Sequence, residues 1–172
     1  MRYFFVLIAT LFLWCTSGTS NAQVSLSINL GSQPIWGPTG YDYVEYYYLP
    51  DIDVYYSVPQ HRYYYYNRGR WIYSSNLPSR YSNFDFYNSY KVVVNEREPW
   101  RNHKNYIKKY SSYKGRHDQQ PIRDSRDSKY FVNKNHPEHN NWVKQQKHDN
   151  DKDKSNKQNN NSGKHNKGKN KK

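Results

Sequence analysis

The stretch Tyr41–Pro78 limits what this chain can fold into more than any other. It holds twelve of the chain's 20 tyrosines, interleaved with Val44, Ile52, Val54, Trp71 and Ile72. Tyrosine and β-branched residues favour strands because they pack well on a pleated, half-buried surface. Pro50, Pro59, Gly69 and Pro78 cut the stretch into short pieces, and such breakers mark turns. The pattern therefore predicts a small antiparallel β-meander. Successive side chains on a strand point to opposite faces, so Tyr46-Tyr47-Tyr48 and Tyr63–Tyr66 must put rings on both faces of the sheet.

The individual pieces follow from local signals. Val24, Leu26, Ile28 and Leu30 alternate with Ser25, Ser27 and Asn29, the period-two pattern of a half-buried strand. Gly31, Pro34, Gly37, Pro38 and Gly40 then make a loop that carries Ile35 and Trp36. Tyr41–Leu49 and Asp51–Val58 are expected as extended segments ended by prolines. Arg62–Tyr66 and Arg70–Ser74 flank Asn67-Arg68-Gly69, which predicts a hairpin with a three-residue, bulged connection. Signals over Ser79–Asn88 conflict, and Lys91–Val94 is β-branched enough for another strand. Pro99 is placed to open a helix at its first turn, running from Trp100 to about Tyr110 with Ile107 and Tyr110 on one side.

Charge divides the chain. Residues 23–100 carry a net −1 and residues 101–172 a net +13, so the basic character belongs to the C-terminal part. Beyond Tyr113 the apolar residues thin to Ile122, Tyr130–Val132 and Trp142-Val143, and from Lys144 onward the composition is Lys, Asn, Asp, Gln, His and Gly. Such a segment buries too little apolar surface to offset its ordering entropy, which predicts a disordered tail over 114–172. A folded unit of under about 80 residues sits near the lower limit for a self-sufficient core, and the aromatic side chains must supply its bulk.

Met1-Arg2 followed by the apolar run Tyr3–Trp14 and the small residues ending at Ala22 has the form of a secretory signal cleaved after Ala22. The apolar run is shorter than the ~20 residues that span a bilayer. Cys15, the only cysteine, lies inside that signal; Trp14 occupies the place where a lipoprotein signal needs a small residue, so Cys15 is read as one more apolar residue rather than a lipid attachment site. The chain after Ala22 then has no disulfide and no thiolate. An exported small domain without disulfides points to a bacterial envelope, in the periplasm or secreted.

The segments Pro34–Pro59 (PIWGPTGYDYVEYYYLPDIDVYYSVP), Gly69–Tyr81 (GRWIYSSNLPSRY) and Tyr90–Pro99 (YKVVVNEREP), with Gln120–Asp127 (QPIRDSRD), resemble a family of small exported bacterial proteins of uncharacterised function. The resemblance implies an envelope or secreted location and a small β-rich domain. It implies no activity, and no residue role is carried over from it.

Several groups invite a chemical reading. If one sheet face forms the core, the other presents rings that stack on a sugar, a base or a protein; Tyr46, Tyr48, Tyr64, Tyr66 and Trp71 are the candidates. The plainer reading is that the tyrosines cover a thin sheet. Lysine-rich tails attract polyanions, with an affinity that salt weakens. Lys167, Lys169, Lys171 and Lys172 are the candidates for contact with lipopolysaccharide phosphates, an acidic glycan or extracellular DNA; a solvated spacer is the alternative. Six of the seven histidines follow Trp100, and His136 and His139 around Pro137-Glu138 form at most a weak metal pair, because an ordered site needs fixed geometry. No nucleophile elbow, zincin motif or phosphate loop is present. Asp51 and Asp53 share a strand face, and paired carboxylates hydrolyse glycosides, yet they follow Pro50, where Asp is a common turn residue. With Glu45 they are equally countercharges for Arg62, Arg68 and Arg70.

The expectation is thus a signal peptide (1–22), a mainly β domain (23–100), a short helix and linker (101–113) and a disordered basic tail (114–172). The function expected is a non-enzymatic, envelope-associated binding or structural module without a cofactor or metal. The rivals are a small envelope glycan hydrolase using Asp51 and Asp53, and a subunit that self-assembles through strand edges. Mass spectrometry of the exported chain is expected to find its N-terminus at Gln23.

Overall fold

The computed structural model describes residues 29–162. The expected signal peptide and most of the expected first strand lie outside them; Asn29 and Leu30 enter a turn. The fold is mainly β: one five-stranded antiparallel sheet in the order β4-β3-β2-β1-β5, made of β1 (Tyr46–Leu49), β2 (Val54–Ser57), β3 (Arg62–Asn67), β4 (Arg70–Ser74) and β5 (Val92–Val94). The first four form a meander, and β5 returns to pair with β1.

The connections show why these residues turn where they do. Leu49 pairs with Val54 across Pro50–Asp53, and Ser57 pairs with Arg62 across Val58–His61. Both loops end on a left-handed residue, Asp53 (φ 53°) and His61 (φ 51°). In each, a strand tyrosine reaches the loop's last residue: the Tyr48 hydroxyl donates to Asp53 at 2.7 Å, and the Tyr56 hydroxyl meets His61 Nδ1 at 3.2 Å. The β3–β4 hairpin differs from the sequence expectation. Asn67 pairs with Arg70, leaving a two-residue loop, Arg68-Gly69, with φ 48° and 82°. Two positive φ values give a turn whose twist matches the strands it joins, so no bulge is needed.

Both faces of the sheet are covered. On one, Tyr47, Leu49, Val54 and Tyr56 pack with Val44 and Val58 under Trp36 of the N-terminal loop and Leu77, Tyr81, Phe84 and Phe86 of the segment after β4. On the other, Tyr46, Tyr48, Tyr55, Val92 and Val94 pack under Trp100, Tyr106 and Tyr110. The second cover is a 3-10 turn, Pro99–Asn102, running into α1 (His103–Lys109). The helix arrives where Pro99 predicted it, but Tyr106 rather than Ile107 is its buried residue.

The expected disorder from residue 114 is corrected over 114–138. Ile122 and Tyr130 are fully or nearly fully buried and form a third cluster with Leu30. Pro121 bridges to Pro38, the Ile122 and Arg123 backbone amides donate to Gly37 and Ile35, and Asn133 Nδ2 donates to the Leu30 and Gln33 carbonyls. Isolated apolar residues suffice here because they complete a core begun by the N-terminal loop. The chain then enters α2 (His139–Ser162). Apart from Trp142 and Val143 its sequence is polar; its first turn is fixed by His139 Nδ1 on the Phe131 carbonyl at 2.7 Å. No described helix is long and apolar enough to cross a membrane.

Side-chain amides finish the sheet's margins. Asn29 pairs with both backbone groups of Val44 (2.7 and 3.0 Å), and Gln119 does the same for Lys91 (2.7 and 2.9 Å). Each amide stands in for a neighbouring strand and satisfies groups that burial would otherwise leave unpaired.

Lys91 itself is 1% exposed. Its ammonium donates to the Tyr87 carbonyl at 3.3 Å, and burial pulls its pKa down to about 8 against the opposing pull of Asp85 and Asp51. A folded pKa below the unfolded ~10.4 means that the charged form opposes folding; the penalty is full below the folded value and gone above the unfolded one. Lys91→Met is therefore expected to raise the unfolding free energy near pH 7 by about 1–3 kcal/mol. The gain should vanish above about pH 10.5, and urea unfolding at the two pH values checks both.

Candidate functional site

Where the β3–β4 hairpin meets the start of α1 there is an open cleft of about 490 Å³. Tyr66 and Trp71 line it from the hairpin; Trp100, Arg101, Asn102, His103, Lys104 and Asn105 line it from the helical side. The strand register explains the first pair, since Tyr66 and Trp71 are directly opposite across β3 and β4. The tight Arg68-Gly69 turn holds them there, with ring centroids 5.6 Å apart at 62°. The helical wall is positioned by aromatic packing. Trp100 stacks on Tyr64 at 4.1 Å and 9°, and meets Tyr46 edge-on at 5.7 Å.

His103 joins the two walls to the core. Its ring stands perpendicular to Trp71 (4.8 Å, 89°), and its Nδ1 is 3.1 Å from the Tyr55 hydroxyl. Burial pulls the imidazole below its ordinary value; Asp53 opposes this and Lys114 adds to it. Burial also pushes the Tyr48 and Tyr55 phenols well above their usual range, so the rings behind the cleft stay neutral.

The cleft's charge is one-sided. Arg101 and Lys104 are exposed cations on its wall, and no carboxylate lines it. Arg101 is partly offset by Glu98 at 2.9 Å, an exposed pair of the kind worth little. Flat rings, amides and exposed cations together suit a ligand with an apolar face and negative charge.

The five aromatic candidates divide. Tyr66 (51% exposed) and Trp71 line the cleft. Tyr64 lies beneath it as the ring on which Trp100 stacks. Tyr46 and Tyr48 are buried and serve packing, because α1 covers the face that was expected to be open. The sequence reading missed Trp100 and the run Arg101–Asn105. Its usable signal was an aromatic spacing of three and four residues, Trp100, His103, Tyr106 and Tyr110, which marks one helix face.

Asp51 and Asp53 hold the chain together rather than facing a shared cavity. Asp51 accepts the Gly115 amide at 2.7 Å; Asp53 accepts the Tyr48 hydroxyl and pairs with Lys114 at 3.2 Å. No group of three metal-ligating side chains forms among the described residues. His136 and His139 point their Nδ1 atoms to different backbone partners, the Glu138 amide and the Phe131 carbonyl. Lys167, Lys169, Lys171 and Lys172 lie outside the described residues.

No family model, curated protein or solved structure matches the chain.

The His103 shift has a consequence for stability. With the folded pKa below the ordinary ~6.5, the neutral ring favours folding; that contribution is present above ~6.5 and is lost as pH falls through the folded value. Stability should drop as pH falls below about 6.5, and His103→Gln should flatten that drop. Thermal melts of both proteins across this range check it.

Proposed function

We propose that this protein is an exported, envelope-associated, non-enzymatic binding module that takes an acidic glycan in the cleft between the β3–β4 hairpin and α1. The observation that carries the proposal is the wall itself: Tyr66, Trp71 and Trp100 beside Arg101 and Lys104, with no lining carboxylate. A sugar ring offers an apolar face to Trp71, while its carboxylate or sulfate meets Arg101 or Lys104. Asn102 and Asn105 supply amides for hydroxyl groups.

Two sequence features complete the reading. The N-terminal 22 residues act as an export signal, in keeping with the resemblance to small exported bacterial proteins. The basic tail adds a weaker, sequence-indifferent attraction to lipopolysaccharide phosphates, acidic glycan or extracellular DNA through Lys167, Lys169, Lys171 and Lys172. The cleft gives orientation and the tail gives salt-sensitive affinity. Committing Asp51 and Asp53 to loop contacts favours binding over hydrolysis as the role of this domain.

Retention of the purified chain on immobilised polygalacturonate and on a neutral glucan tests the two contributions. Lys104→Gln, at an exposed position, is expected to weaken binding to the acidic polymer roughly tenfold, a loss of about 1.4 kcal/mol, without changing the melting temperature. Removing residues 144–172 should lower the steepness of the salt dependence while leaving the preference for the acidic polymer intact. Equal retention on both polymers, or indifference to Lys104→Gln, overturns the cleft assignment.

A further inference from the structure

Two stretches that stand out in the sequence, Gln120–Asp127 and His136–His139, play no part in the aromatic cleft, and the fold brings them together. The Ile122 and Arg123 amides are tied to the N-terminal loop at 2.8 Å each, and the Asp124 and Ser125 amides close a 3-10 turn. Tyr130 and Asn133, buried against the same loop, return the chain so that His136 lies across from Ser125 and Arg126. Between them is a second cleft of about 400 Å³, whose walls include the carboxylates Asp124 and Glu138 as well as Ser125, Arg126, Phe131 and His136.

The donors in this cleft are unspent. His136 is 4% exposed, and its Nδ1 accepts the Glu138 backbone amide at 3.1 Å, which puts the ring proton on Nε2. That Nε2 is shut off from solvent and has no hydrogen-bond partner. Arg126 is exposed and has no ion-pair partner among the described residues. Ser125 is buried, and its Oγ accepts the Asp127 amide at 3.2 Å, leaving its hydroxyl proton to donate. The neighbouring charges are already engaged. Arg123 holds Asp124 at 2.8 and 3.1 Å and covers the Tyr87 ring at 3.9 Å, and Glu138 accepts Asn141 Nδ2 at 3.0 Å.

We infer that this second cleft is an oxyanion-binding site, in which Arg126, Ser125 and His136 receive a single phosphate, sulfate or carboxylate group. The protonated Nε2 argues against a metal, which would need that nitrogen's lone pair. A guanidinium paired with neutral donors is the arrangement that recognises an oxyanion with direction as well as charge. The site is independent of the aromatic cleft and requires no glycan.

Nuclear magnetic resonance of the full chain labelled at its histidine rings tests the inference. Sodium phosphate, sulfate and glucuronate are titrated separately, each balanced with chloride to hold ionic strength fixed. The expected result is a saturable shift of the His136 ring signals with at least one of the three, and the anion that saturates first identifies the group bound. Arg126→Gln is expected to weaken it tenfold or more while the other histidine signals stay in place, since Arg126 is exposed and supports no packing. A shift that grows linearly without saturating, an unchanged affinity in Arg126→Gln, or a response confined to His103 each overturns the assignment.

Discussion

A buried tyrosine is stable only if its hydroxyl finds a partner, since an unpaired buried polar group costs about 1–3 kcal/mol. This chain buries tyrosines on both faces of its sheet, and much of the remaining architecture answers that requirement. Tyr48 and Tyr56 are satisfied locally, by Asp53 and His61 at the ends of their own loops. Tyr47 needs Gln33 from the N-terminal loop (3.0 Å), and Tyr55 needs His103 from α1. Tyr130 accepts the Gly40 amide at 2.6 Å, ninety positions away in sequence. The Tyr47 and Tyr55 hydroxyls thus fasten distant segments to the sheet, and Tyr130 ties its own turn to the N-terminal loop.

The same requirement decides what was legible in the sequence. Strands, breakers and the Arg62–Ser74 hairpin show themselves because they depend on neighbours: alternation, proline, and a glycine able to take a positive φ. The helix after Pro99 is legible for the same reason. The covers are not, because whether Tyr46 and Tyr48 are exposed depends on Trp100, Tyr106 and Tyr110 arriving from elsewhere. The segment 114–138 misleads more strongly. Ile122 and Tyr130 are too sparse to make a core, and they do not need to; they fill a gap already walled by Leu30 and the Gly31–Gly40 loop. Local composition measures a segment's ability to fold alone, which this segment never does.

The candidate cleft was legible in part. Tyr66 and Trp71 could be named as candidates because cross-strand aromatic pairs follow from the strand pattern. Their partners across the cleft could not, since Arg101 to Asn105 look like an indifferent polar helix until Trp100 is seen stacked on Tyr64. The chemistry of a site is often carried by the half that has the weaker sequence signal. Here the hairpin supplies the flat surface and the helix supplies the charge.

That division gives His103 a particular place. It touches Trp71 in the cleft wall and Tyr55 in the core, so its ring orientation is set by the fold and in turn sets the tilt of Trp71. A protonated His103 carries a proton on Nδ1 and can only donate to the Tyr55 oxygen, and would place a cation edge-on to the indole instead of a neutral ring. Protonation would therefore keep a bond to Tyr55 while adding positive charge beside Arg101 and Lys104, at the cost of burying a cation. For an acidic ligand these effects oppose each other: the cleft becomes more attractive electrostatically while the fold loses stability. Because burial pulls the imidazole below its ordinary value, the fold favours the neutral ring, and the attraction is left to Arg101 and Lys104.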